Sequence, residues 1–219
     1  MLKQWLDGPV LYSFSQSRLA QFAAVVALLM ICGALFAPWL APLNPFDLAS
    51  LDLNDSLLPP AWAAQGQGKY VLGTDDQGRD VLSTILYGSR ISLLVGFSSV
   101  LLAMFLGVGL GLLSGFLGGR LDAIIMRIAD VQLSFPAILI ALLIDGVARV
   151  VFADQGHGDQ MAILVLIGSI SLANWVSYAR TVRGSTLVEK NKEYVQAARV
   201  IGVPAIAIMI KHVLPNVMG

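Results

Sequence analysis

Few residues in this chain could do chemistry. Asp75, Asp76 and Asp80 stand close together, and three carboxylates at such spacing could hold a cation. The ligand spacing of a calcium loop is absent, however. Thr74 and Gln77 have capping-box spacing, so the stretch reads as a helix start whose acids cap and solvate it. His157, between Gly156 and Gly158, is far from His212, and neither has a cysteine beside it. The single cysteine, Cys32, sits inside an apolar run, so no zinc spacing and no disulfide framework is present. A Walker A loop, a glycine fingerprint following a strand and a Ser/His/Asp set are also missing. The expected sets of catalytic and metal-binding residues are therefore empty.

The informative spacing lies instead at residues 193–215. Tyr194, Ala197, Ala198 and Ile201 fall on one face of a helix, at i, i+3, i+4 and i+7. Gly202 stands where such a helix would stop, and Pro204 cannot continue it. A second helix-compatible run follows and is expected to end before Pro215. This predicts two short helices meeting at a tight corner. The small residues Ala197 and Ala198 would let another protein's backbone approach. A corner of this kind presents a knob to a partner rather than a pocket to a small molecule.

The elements that must position this corner are set by composition. The chain has 219 residues, 57% of them hydrophobic and 13% charged, with a mean hydropathy of +0.76. Soluble domains carry roughly 25% charged residues, so a lipid-embedded, all-α polytopic helix bundle is expected. The net formal charge is zero, which gives no bulk attraction to nucleic acid. Residues 1–18 read as a short interfacial segment with Lys3, Trp5 and Arg18. Residues 19–41 form a first apolar span, longer than a signal-peptide core. Residues 42–90 form a long acidic, proline-containing connection ending in an amphipathic helix along the membrane surface. Spans are expected at 91–117, 128–150 and 161–178, with Pro136 kinking the third. Asp130, Asp145 and Arg149 fall near the ends of that span, at an interfacial position.

In the second span Ser99, Ala103, Gly107, Gly111, Gly115 and Gly119 recur every four residues. Such a ladder packs helix backbones together in membranes; its plain reading is packing within the chain, its sharper one a subunit interface or path lining. Arg180, Arg183, Lys190, Lys192, Arg199 and Lys211 follow the fourth span, against Glu189 and Glu193. By the positive-inside rule the N-terminus and the 179–219 loop face the cytoplasm, and four spans put both on one side.

Glu193, Ala197, Ala198, Gly202 and the ending His212-Val213-Leu214-Pro215-Asn216 resemble the cytoplasmic "EAA" loop of permease subunits of ATP-binding cassette importers. The variant is similar to the C-type permease of the dipeptide, oligopeptide and nickel group. Leu72-Gly73-Thr74-Asp75 with Gly78-Arg79-Asp80 and Tyr87-Gly88 resembles a signature of the same group. The resemblance implies a multi-pass subunit of a bacterial inner membrane that works by alternating access, with a permease domain over about 90–219. It implies a second permease subunit as heterodimer partner, two ATPase subunits that carry ATP and Mg, and an extracytoplasmic substrate-binding protein. Glu193, Tyr194, Ala197, Ala198, Gly202, Leu214 and Pro215 would then couple to the ATPase. Glu193 would make a polar contact, Gly202 the corner, and Pro215 the end of the second helix.

The family has two further spans where this sequence stops, so a fragment or truncation is expected. A non-transporting scaffold or inactive remnant is the alternative to a working transporter. Peptide, nickel, opine and glutathione importers share these motifs, which leaves the substrate open.

Overall fold

A computed structural model describes residues 9–47, 52–151 and 158–218. The expected features at Lys3, Trp5 and His157 lie outside the described residues, as does the side chain of Arg149. Among the described residues there is no strand, only one isolated antiparallel bridge between Thr74 and Asp80. The protein is an all-α membrane protein, and the described residues hold three helices apolar enough to cross a bilayer, or four if a bent pair is counted as one. It folds as two compact units, Met1–Leu94 and Val95–Gly219.

In the first unit, helix α1 (Pro9–Gln16) precedes α2 (Arg18–Leu35). Ser17 caps α2 by accepting from the Ala20 N–H at 3.2 Å. Helix α2 has a mean hydropathy of 2.0, yet its apolar side chains are almost wholly exposed. That combination suits lipid as the surrounding medium. The helix breaks at Phe36, and Pro38 lies in the first turn of the short α3 (Ala37–Leu40).

Helix α4 (Val81–Leu117) is 37 residues long and begins in the first unit. The separate surface helix and 91–117 span expected from sequence are one continuous helix. Nothing at residues 88–91 breaks it, because Gly88 sits in a helical backbone with open space around it. At 1.5 Å per residue it extends about 56 Å, well beyond the roughly 30 Å hydrocarbon layer. Its polar first turns and its apolar remainder are therefore both accommodated without a break.

The second unit holds α5 (Gly119–Leu133), α6 (Ala137–Val151) and α7 (Gly158–Glu189). The expected single span at 128–150 is instead a pair of helices bent by 94°. Pro136 disfavours helical geometry at Phe135 and supplies no N–H, so the chain turns there and restarts. The Leu139 N–H then bonds the Pro136 carbonyl at 2.9 Å. Helix α7 continues eleven residues past the expected end of the fourth span, to Glu189.

Helices α4 and α7 run parallel. Ser99 meets Ile167 and Ser171, Gly107 meets Trp175 and Tyr178, and Gly115 meets Arg183 and Thr186. The bent α5–α6 pair lies between them in the chain. Short helices α8 (Glu193–Val200), α9 (Ala205–Ile208) and α10 (Leu214–Val217) complete the chain, with a π-helical turn over Met209–Val213.

Candidate functional site

The signature residues at 73–80 build the loop ahead of α4. Thr74 Oγ donates to the Asp55 carbonyl at 2.5 Å and accepts from the Leu58 N–H at 2.8 Å. The Thr74 N–H bonds the Leu58 carbonyl. Asp75 Oδ1 accepts from the Gln77 and Arg79 N–H groups, each at 2.9 Å, while its Oδ2 meets Arg79 Nε at 2.7 Å. Burial disfavours the Asp75 charge, but these N–H groups and the guanidinium outweigh it and hold the carboxyl below its ordinary range. Gly73 and Gly78 have φ of +82° and +76°, where only glycine is unstrained.

Thr74 does not cap a helix, contrary to the capping-box reading. Asp80 is the cap: its Oδ2 accepts from the Ser83 N–H at 2.8 Å and from Ser83 Oγ at 2.5 Å. Asp80 is 2% exposed, and its Oδ1 lacks a hydrogen-bond partner among the described residues. Asp75 and Asp80 Oδ2 are thus taken up by the loop and the first turn of α4, and no metal-binding group of three occurs among the described residues.

The ladder of small residues packs within the chain. A Cβ on Gly107 would stand 2.5 Å from the Trp175 carbonyl oxygen and from Tyr178 Cβ. One on Gly111 would collide with the Ala179 carbonyl, and one on Gly115 would be 2.7 Å from Thr186 Cβ. Ser99 and Ala103 are each 1% exposed on the same face. Gly119 is not part of the ladder. Helix α4 ends at Leu117, and Gly119 starts α5 with φ +60° and nothing within 4 Å of an added Cβ. A cavity of about 290 Å³ opens beside the ladder's start, with Ser99, Asn174, Ser177 and Tyr178 in its wall.

Charged groups tie the C-terminal parts of α4 and α7 to α5 and to the corner. Arg183 grips Asp122 through two nitrogens, at 2.5 and 2.7 Å, and Ser114 donates to the same carboxylate. Asp130 pairs with Arg180. Lys190 Nζ donates to the Gly115 carbonyl at 2.7 Å, and the Arg199 guanidinium lies 5.2 Å from the Phe116 ring centroid. The corner is therefore seated on the ends of α4 and α7.

The corner itself forms as the spacing predicts. Helix α8 ends in a Schellman motif: the Val203 N–H bonds the Ala198 carbonyl at 3.0 Å and the Gly202 N–H bonds the Arg199 carbonyl at 3.1 Å. Gly202 takes φ +82°. Pro204 then caps α9, whose Ile208 N–H bonds the Pro204 carbonyl at 3.1 Å.

The expected docking face divides differently. Ala198 is 5% exposed and packs with Val195, Phe116, Val182 and Met209 in the core, while Ala197 remains exposed. The reason is helical phase: Val195 and Ala198, three apart, form the inward stripe. Tyr194 turns its hydroxyl onto the chain's own Glu189 at 2.7 Å. Burial, and then the hydrogen bond to that carboxylate, push its phenol up to about 12. Glu193 is exposed in the first turn, and Leu214 is partly buried against the core.

Pro215 does not end the second helix either. The wider π-helical turn at Met209–Val213 precedes it and the helix runs on to Val217. Of the corner's most exposed apolar residues, sequence reading named Ile201, 78% exposed, and missed Val200 at 88% and Ile206 at 68%. Counting phase from Val195 and Ala198 places Val200 on the opposite face, while Ile201 is exposed at the helix's C-cap.

Residues 107–219 match the family of binding-protein-dependent transport system inner membrane components. The chain belongs to this family. Residues 8–60 also match the N-terminal transmembrane domain of oligopeptide transport permease C. The chain is 37% identical over 208 residues to a di/tripeptide transport system permease protein, DppC, of Pseudomonas aeruginosa, covering 94% of this chain and 64% of that protein. It is 33% identical over 218 residues to the oligopeptide permease OppC of Bacillus subtilis, covering 100% and 64%. With the glutathione permease GsiD of Pectobacterium atrosepticum it shares 38% over 204 residues, covering 93% and 61%. The chain thus spans a little under two thirds of the length of these relatives.

Proposed function

We propose that this chain is a transmembrane subunit of an ATP-driven importer for short peptides or related small solutes. Its spans form part of the translocation path, and its corner couples to separate ATPase subunits that hold ATP and Mg. The observation that carries the reading is the corner. A glycine-terminated helix is rigidly seated on the ends of two long parallel helices, yet it exposes Val200, Ile201 and Ile206 outward. Exposed apolar side chains on a helix that also exposes Glu193 and Arg199 suit a protein cleft.

In this reading the N-terminus and corner are cytoplasmic, as the basic residues after α7 favour. A second permease subunit and an extracytoplasmic binding protein complete the assembly. Ser99, Asn174, Ser177 and Tyr178 supply polar groups to a wall within two otherwise apolar helices. Short peptides fit the substrates named for the relatives.

The test is Gly202→Leu in the complete transport assembly in proteoliposomes. At φ +82° the leucine is strained, which should distort the corner while the core keeps the protein in the membrane. Peptide uptake should be lost while ATP hydrolysis persists. Normal uptake by this variant overturns the assignment.

A further inference from the structure

Helix α8 has two turns and a break on either side, at residues 190–192 and 201–204. So short a helix has little rigidity of its own. Its apolar side is fixed by Val195 and Ala198 in the core. On its polar side Gln196 Nε2 bonds the Asn191 carbonyl at 3.0 Å and Arg199 lies over Phe116, but Tyr194 reaches across both breaks. Tyr194 Oη donates to Glu189 Oε1 at 2.7 Å, at the end of α7. The same oxygen accepts from Asn216 Nδ2 at 3.4 Å and lies 3.3 Å from the His212 carbonyl oxygen, both beyond the second break. Asn216 Nδ2 in turn donates to the His212 carbonyl at 2.7 Å.

Glu189 is itself held. It is 6% exposed, and its second oxygen meets Lys192 Nζ at 2.8 Å. A phenol has a single proton, so the shorter contact to the carboxylate is the donated bond. The His212 carbonyl is the next acceptor should Glu189 withdraw.

We propose that Tyr194 is a positioning residue that welds α7, α8 and the terminal helical run into one lever, instead of touching the ATPase. The inference deepens the coupling reading and rests on it. Without the weld, a push on α8 would be absorbed by bending at the two breaks. With it, displacement of the corner passes to α7 directly and, through Lys190 on the Gly115 carbonyl, to the end of α4.

The test places spin labels at Val188→Cys and Val200→Cys, both exposed and outside the hydrogen-bonded set, in a Cys32→Ser background. Pulsed electron resonance on the full chain in nanodiscs reads the distance distribution between α7 and α8. Tyr194→Phe keeps the ring and removes only the hydroxyl; it should widen the distribution roughly twofold, on the scale of a released local element. Asn216→Ala cuts the far link alone and should widen it less, and it serves if the phenylalanine variant does not fold. Glu189→Gln retains an acceptor and should restore a width near that of the parent.

An unchanged width in both Tyr194→Phe and Asn216→Ala overturns the weld, whatever transport does. A widened distribution with uptake per ATP reduced in the complete assembly supports it. A widened distribution with uptake per ATP unchanged leaves the weld standing and overturns the coupling reading beneath it.

Discussion

Glycine serves two different needs in the loop at 73–80 and on the face of α4. In the loop, Gly73 and Gly78 are there for the backbone: both take positive φ, and an added Cβ would strike the Leu58 and Asp52 carbonyls. On α4, Gly107, Gly111 and Gly115 have ordinary helical backbones and serve a neighbour, α7, whose carbonyls lie where Cβ atoms would be. The loop is held by hydrogen bonds from named donors to named acceptors. The helix face is held by close contact, with Ser171 Oγ on the Ser99 carbonyl at 3.0 Å among its few polar links. Where water is scarce, dispersion between closely spaced backbones takes over from the hydrophobic effect.

The contrast can be broken most severely on the helix face. Gly111→Ala should cost about 1–3 kcal/mol by overpacking against the Ala179 backbone, which cannot swing aside. Gly109→Ala, on the same helix with nothing within 4 Å, should instead gain about 0.5–1 kcal/mol from helix propensity. Thermal unfolding in detergent measures both; equal effects would dissolve the distinction between the two faces.

In the loop, Asp80→Ala removes the cap of α4 and should cost about 1 kcal/mol. Hydrogen exchange should rise at the first turn, Val81–Thr84, and stay unchanged at Gly107–Gly115. A smaller effect is expected from acid. The Asp75 carboxyl sits below its ordinary value of 3.8. A group that ionises more readily when folded stabilises the fold fully above that value, and the contribution fades as the pH falls through the folded one. The Arg79 amide resonance should therefore move below about pH 4, and in Asp75→Asn it should not.

Much of the helix face was legible in the sequence, because a repeat of four needs no partner to be seen. The partner's identity was not legible: Ala179 and Thr186 lie some seventy residues downstream. The corner was legible for the same local reason, since Gly202 and Pro204 mark its turn within four residues. What local pattern could not supply was direction. Ala198 belongs to the core because α4 and α7 occupy that side, and Tyr194 turns inward because Glu189 is there to receive it. The loop misled for the opposite reason. Thr74 and Gln77 match a capping box, but the Thr74 hydroxyl is taken by Asp55, nineteen residues earlier in the chain. Pro136 was read as a kink within one span; the full 94° turn depends on how α5 and α6 each pack. Pro215 looked like a terminator because a π-helical turn ahead of it has no sequence mark.

Running α4 and α7 in the same direction has an electrostatic consequence. Their macrodipoles lie side by side with like poles adjacent, and the partial negative charge of both C-terminal ends gathers at one edge of the bundle. Lys190 and Arg199 stand at that edge, the first bonded to a terminal carbonyl and the second over Phe116 in the last turn. Two cations that seat the corner thus also relieve the repulsion between the like ends of α4 and α7.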